Sequence, residues 1–223
     1  MEPFRIFIGW DAKEAEAFHV LSHSIITRSK YPVSITPIVK SQLPEYKRAR
    51  GPSESTDFSL TRFLVPHLSG YKGVSLYMDC DMLVQCDITD ILMDYTLYPD
   101  KAVHVVKHDY EPISDTKMGG MVQTPYPRKN WSSFILFNNR KCTTLTPEYV
   151  NQTKPSLLHQ FGWIPDGSIR GLDMAWNWLV GEYPPHPKPR VLHYTLGGPW
   201  MGGTEETGVW LAERARAFGA TII

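Results

Sequence analysis

The residues able to do chemistry concentrate in one tripeptide, Asp79-Cys80-Asp81, and in one distant imidazole, His193. In an extended segment, side chains two apart project to the same side, so both carboxylates face one way and Cys80 the other. Two carboxylates this close repel unless a proton or a cation lies between them. Hard oxygen ligands on one edge suit Mg²⁺ or Mn²⁺. This is the only Asp-x-Asp in the chain, and the apolar run from Gly73 to Met78 leads straight into it. The pair is therefore expected at the carboxyl end of a buried strand, where open α/β sheets bind ligands. His193 follows Val191-Leu192 and precedes a glycine-rich run, Gly197 to Gly203. Beside the carboxylates it can add a nitrogen ligand, which favours Mn²⁺ over Mg²⁺. The glycines would let backbone N–H groups approach a phosphate.

Several elements must bring these groups together. Phe4 to Ile8 reads as a short apolar strand ending at Gly9. Asp11 and Glu14 form a D-x-x-E capping box opening a helix from about Ala12 to Arg28. Its buried stripe is Ala17, Phe18, Leu21, Ile25 and Ile26. Val33 to Ile38 is a second strand, and strand–helix–strand predicts a mainly parallel sheet. Further strands are expected at Val103 to Val106 and Ser133 to Phe137. Helices are expected at Leu60 to Leu68, Leu172 to Val180 and Glu205 to Phe218. Lys40 to Asp57, with Lys47, Arg48 and Arg50, reads as a mobile surface loop, and His108 to Asn130 as irregular. Tyr183 to Pro189 is a proline-rich extended crossing.

Composition narrows the class. A chain of 223 residues that is 42% hydrophobic suits one compact α/β unit. Lys plus Arg equals Asp plus Glu at 23 each, so charge supplies no reason for a nucleic-acid or anionic-membrane partner. Three cysteines without a C-x-x-C pair argue against a disulfide scaffold and a cysteine-rich zinc site. No apolar run reaches transmembrane length, and MEPFRIFIGWD does not read as a signal peptide. The expectation is a cytoplasmic protein. His19 and His23 are four apart, but Val20 stands where a zinc protease needs Glu, so a solvated helix face is expected. His104 and His108 have no nearby carboxylate other than Asp109 in sequence.

Three segments in order carry a resemblance: Ser59 to Pro66 around Arg62, the strand entering Asp79-Cys80-Asp81, and His193 to Trp200. Together they resemble nucleotide-sugar-dependent glycosyltransferases of family 8, the glycogenin and galactosyltransferase type. The resemblance implies a single-domain GT-A fold, a Rossmann-like mainly parallel sheet with the D-x-D at the end of a central strand. It implies a nucleotide-binding part over about 1–107 and an acceptor and metal-completing part over about 108–223. Asp79, Asp81 and His193 would be the metal ligands. Gly9, Trp10, Asp11, Arg62, Asp79, Cys80, Gly197, Gly198 and Trp200 would contact the donor, with Gly9, Trp10 and Asp11 lining the pyrimidine pocket. Arg62, over the donor sugar or phosphate, and Asp173, gripping hydroxyls near the reacting carbon, would be the catalytic pair. The implied activity is Mn²⁺- or Mg²⁺-dependent transfer from a UDP-sugar to a glycan or other hydroxyl acceptor, with retention of configuration.

The chain also departs from that pattern. Gly198 stands where the family has a diphosphate-contacting lysine, which leaves Arg170, Lys188 and Arg190 as candidate cations. Glu14 replaces an aromatic after the first strand, so base stacking falls to Trp10, and Trp131-Ser132-Ser133 replaces an Asn-x-Gly. Second readings stay open: Asp11 as a helix N-cap, Arg62 as a salt-bridging residue, Asp173 as the cap of its own helix, Trp10 as core. Two other functions remain: a haloacid-dehalogenase-type phosphatase with Asp79 as nucleophile, and a non-catalytic nucleotide-sugar or glycan-binding module.

Overall fold

Apolar runs in this chain become strands that pair edge to edge, and the central ones are buried on both faces. The computed structural model describes residues 2–49, 51, 56–112, 116–117, 121–122, 126–204 and 206–219. Strand β1 (Phe4–Gly9) leads through helix α1 (Ala15–Arg28) to β2 (Val33–Ile38). Helix α2 (Val65–Leu68) then precedes β3 (Val74–Met78), β4 (Met82–Val84), α3 (Leu92–Leu97) and β5 (Val103–Val106). Short strands β6 (Thr116–Lys117) and β7 (Met121–Val122) pair with each other. After them come β8 (Phe134–Asn138), α4 (Pro147–Gln152), α5 (Pro155–His159) and β9 (Ile169–Leu172). The last elements are β10 (Trp178–Leu179), β11 (Val191–His193) and α6 (Thr207–Phe218).

The main sheet has six strands in the order β2-β1-β3-β8-β5-β9. Only β8 runs against the others, so the carboxyl ends of β1, β3, β5 and β9 share one edge. Every residue of β8 is buried, as a strand covered on both faces requires. A second sheet, β10-β11-β4, abuts the first. It packs Leu83, Val180, Leu192 and Tyr194 with Val20 of α1 and Trp210 of α6 into a smaller core.

The expected mainly parallel α/β sheet is present. Five local expectations are corrected, the first being that Ile26, expected on the buried stripe of α1, is 61% exposed. Leu172 to Val180 is not a helix: a 3₁₀ turn over Met174–Asn177 leads into β10. There the Val180 N–H bonds the carbonyl of His193 at 2.9 Å, so pairing with a distant strand overrides helical propensity. The capping box is only half formed. Asp11 accepts from the Lys13 N–H at 3.0 Å and the Asp57 N–H at 3.1 Å, while Glu14 turns inward and is 2% exposed. His23 does not lie on a solvated face, because its Nδ1 is 2.6 Å from the buried carboxylate of Glu213 on α6. His104 likewise finds a carboxylate, with Nδ1 2.5 Å from Asp94. Of the two expected loops, residues 50, 52–55, 113–115, 118–120 and 123–125 lie outside the described residues.

Candidate active site

Tyr77 and Asp79 sit on the same side of the chain leaving β3, two positions apart, and the Tyr77 hydroxyl donates to Asp79 Oδ1 at 2.6 Å. Arg62, on the 3₁₀ turn Thr61–Leu64, grips the same carboxylate through both terminal nitrogens, Nη2 to Oδ1 at 3.0 Å and Nη1 to Oδ2 at 3.3 Å. Its Nη1 also donates to the Ser132 carbonyl at 2.8 Å, and its guanidinium lies 5.1 Å from the Tyr77 ring centre. Arg62 is therefore a buried salt-bridging residue of the site, and its Nε has no hydrogen-bond partner among the described residues. With both Asp79 oxygens engaged, that carboxylate is built as a held ligand and not as the free nucleophile a phosphatase would need.

Asp81 opens β4, and the antiparallel register of β4 with β11 sets His193 opposite Met82. The Tyr194 N–H closes the join on the Asp81 carbonyl at 2.9 Å. This pairing carries an imidazole from far along the chain to the carboxylates. His193 Nε2 stands 3.3 Å from Asp81 Oδ1, which has no hydrogen-bond partner among the described residues. Ligand atoms of Asp79, Asp81 and His193 lie within 4.8 Å of one another, and all three residues are buried. An orphaned carboxylate oxygen, a second carboxylate and an imidazole nitrogen fit a divalent ion such as Mn²⁺.

The imidazole is oriented from behind. Its Nδ1 is 2.9 Å from Asn177 Oδ1, Asn177 Nδ2 donates to Ser133 Oγ at 2.9 Å, and Ser133 Oγ donates to the Asn130 carbonyl at 2.7 Å. Because the Ser133 hydroxyl proton is committed to Asn130, its oxygen accepts from Asn177. Asn177 must then present its oxygen to His193, so Nδ1 carries a proton and Nε2 is the nitrogen turned toward Asp81, with a lone pair for an ion when the imidazole is neutral. Nothing in the local sequence marks Asn177 or Ser133 for this role.

Charge and burial oppose each other across the pair. Burial pushes Asp79 up, against the pull of Arg62, and the neighbouring Asp81 keeps it above the ordinary carboxylate value. Burial also penalises Asp81, but His193 and hydrogen bonding outweigh that and leave it below its ordinary value. Glu14 is a further acid beneath the pair: burial first, then Asp81, Asp79 and Asp11, raise its pKa to about 9. Cys80 faces this acid with its thiol fully buried, so any donor contact it makes must come from its backbone.

The other expected contacts divide. Gly9 is needed for close packing, since a Cβ there would lie 2.4 Å from the Phe58 ring and 2.8 Å from the Tyr77 hydroxyl. Trp10 is half-buried and packs edge-on against Phe18 at 5.1 Å. Asp11 is an N-cap, as above. Asp173 is exposed and caps its own turn through the Ala175 N–H at 2.8 Å. Gly197 sits at φ +104° with its N–H on the Tyr194 carbonyl at 2.8 Å, so that N–H is not available to a phosphate. Gly198 is covered by Trp200, which itself packs on Tyr194 and Trp210 at 5.9 and 5.3 Å. Two of the candidate phosphate cations are engaged elsewhere. Arg170 lies 3.8 Å over the Tyr98 ring and 3.7 Å from Asp94, and Arg190 lies 4.8 Å over the Trp176 ring and 3.5 Å from Asp90.

Comparison with known proteins follows the same lines. No protein-family model matches the chain. Protein CDI of Arabidopsis thaliana is 46% identical over 226 residues, covering 95% of this chain and 86% of that protein. Among solved structures, the galactosyltransferase LgtC in complex with donor and acceptor sugar analogs superposes with a TM-score of 0.57 at 15% identity, covering 99% of this chain and 97% of LgtC. The glycosyltransferase GlyE of Streptococcus pneumoniae gives 0.62 at 16% identity, over 96% of this chain and 60% of GlyE. The WbbM bifunctional glycosyltransferase gives 0.62 at 15% identity over 99% of this chain, which spans 52% of WbbM. The fold is that of the GT-A glycosyltransferases.

Proposed function

Since the chain belongs to the family of Protein CDI and carries a GT-A-type fold, we propose that it is a metal-dependent glycosyltransferase. It moves a sugar from a nucleotide donor, in our reading a UDP-sugar, to a glycan or other hydroxyl acceptor. The observation that carries this reading is the buried trio Asp79, Asp81 and His193, with one carboxylate oxygen left unpartnered. The ordered motifs around Arg62, Asp79 and His193 support kinship with glycosyltransferase family 8.

Asp79, Asp81 and His193 would hold the ion, Mn²⁺ in preference to Mg²⁺ because of the imidazole. When bound, such an ion supplies Lewis-acid stabilisation of the departing diphosphate. The chain's own groups do the rest. Arg62 holds Asp79 in place and keeps a cation beside the position where leaving-group charge grows. Asn177 fixes the His193 tautomer. Asp173, exposed at the edge after β9, would orient sugar hydroxyls with the oxygen its cap leaves free. We assign retention of configuration with front-face transfer, the diphosphate accepting the acceptor proton.

Asp81→Asn tests the assignment. It should abolish Mn²⁺-dependent UDP binding, followed by calorimetry, and lower transfer at least about 100-fold while the circular dichroism spectrum stays unchanged. Full activity in the variant, or in wild type treated with a chelator, would refute a metal-dependent transferase.

A further inference from the structure

The registers of four strands carry one row of residues across the carboxyl edge of the main sheet. Met78 pairs with Phe134, and the Asp79 N–H bonds the Ser133 carbonyl at 3.0 Å, so Ser133 stands beside Asp79. Val105 pairs with Ile135, which continues the row from Ser133 to Lys107. Val106 pairs with Leu172, which continues it from Lys107 to Asp173. Lys107 therefore lies two strands from Asp79, about 10 Å at the usual spacing.

Alternation also fixes the face. Tyr77, Ile135, Val105 and Gly171 are in register and share one face of the sheet. Lys107, two past Val105, belongs to that face with Asp79, two past Tyr77. The packing agrees: a Cβ on Gly171 would meet Lys107 Cδ at 3.4 Å, so the lysine stem lies across this glycine. Its ammonium stands 5.5 Å from the Trp131 ring centre, and the Arg128 guanidinium faces the same ring at 5.2 Å.

Lys107 differs from the other cations of this region. Asp79 holds Arg62, Asp166 holds Arg128 at 2.7 Å, Asp94 lies 3.7 Å from Arg170 and Asp90 lies 3.5 Å from Arg190. Lys107 is exposed, and among the described residues its ammonium has a ring contact but no carboxylate and no oxygen acceptor. A ring face leaves its N–H donors free for a hydrogen-bonding partner.

We propose that Lys107 is a specificity-determining residue that receives the carboxylate of a uronic acid, the transferred sugar of the donor, a reading that rests on the glycosyltransferase assignment above. The row that holds it runs from the candidate metal ligand Asp79 to Asp173, the residue assigned to sugar hydroxyls. An ammonium and a carboxylate form a charge-assisted hydrogen bond about twice as strong as a neutral one, whereas a neutral hexose offers this group hydroxyls alone. Asp173 accepts from hydroxyls and repels a carboxylate, so the two side chains orient the ring with its acid toward Lys107.

The test is calorimetry on the full chain with Mn²⁺, comparing UDP, UDP-glucose with UDP-glucuronic acid, and UDP-galactose with UDP-galacturonic acid. At least one uronate should bind about tenfold or more tightly than its neutral counterpart. The preference should vanish in Lys107→Met and persist in Lys107→Arg, which keeps the charge. The wild-type comparison stands whether or not either variant folds. Equal affinities for acidic and neutral donors, in a wild type that binds UDP, overturn the carboxylate assignment and leave the transferase reading standing. A uronate preference that survives in folded Lys107→Met overturns it too. So does methyl β-D-glucuronide binding to the UDP- and Mn²⁺-saturated chain without any preference among donors, since the acid would then belong to the acceptor. A chain that binds neither UDP nor any of the four donors removes both readings.

Discussion

At Glu14 a carboxyl group is buried close to Asp79, Asp81 and Asp11, and burial, ahead of those charges, holds its pKa at about 9 against an ordinary 4.5. Its native value is raised, so its contribution to stability is complete below pH 4.5 and is lost as pH rises toward 9. In chelator, Glu14→Gln should therefore raise the melting temperature at pH 8 by at least about 2–4 °C and change it little at pH 5. A variant less stable than wild type at pH 8 would show that the ionised form is the one accommodated. Asn177 acts on the site through His193. Asn177→Ala should weaken Mn²⁺ binding about 10- to 100-fold by releasing the tautomer, read by Mn²⁺ titration in electron paramagnetic resonance. An unchanged titration would remove that orienting role.

Among the elements, the contact between α1 and α6 turns on Glu213. It is 1% exposed, and Arg28 grips it through two nitrogens at 3.0 and 2.6 Å while His23 approaches to 2.6 Å. Burial opposes ionisation, but the hydrogen bonds from Arg28 and His23 prevail and lower its pKa to about 2. The stabilisation is present above about pH 4.5 and fades as pH falls toward 2. Glu213→Gln should cost about 1.5–3 kcal/mol in urea unfolding at pH 7, and its curve should converge on wild type near pH 2. A constant gap down to that pH would mean packing, not charge, accounts for the loss. Strands β1, β2, β3, β5 and β8 were legible as apolar runs, as between Gly73 before β3 and Asp79 after it, while β4 and β9 were not read as strands. Nor was β10, because its residues adopt strand geometry only when β11 lies beside them.

For the whole molecule, the two sheets matter through the way β4 and β11 join them. If the candidate trio binds as assigned, UDP with Mn²⁺ stabilises the native state by about 2.7 kcal/mol at a ligand concentration 100 times the Kd. The melting temperature should rise with the two together, rise less with either alone, and return on chelation. A UDP shift indifferent to chelation would separate nucleotide binding from the carboxylates. Among the described residues, no helix is long and apolar enough to cross a membrane.

What the amino-acid sequence determined alone was local: an apolar strand emptying into Asp79 and Asp81, both on one side, because strand alternation repeats every two residues regardless of context. The α/β class followed from the same periodicities. Only the tertiary structure decided that Glu14 turns inward, that Arg62 clamps Asp79, and that Asn177 stands behind His193. It likewise decided that Arg170 and Arg190 are engaged away from the candidate site. Each of these depends on which strand or turn lies alongside, and burial and hydrogen-bond partnership between residues far apart in the chain exist only once the sheets have closed.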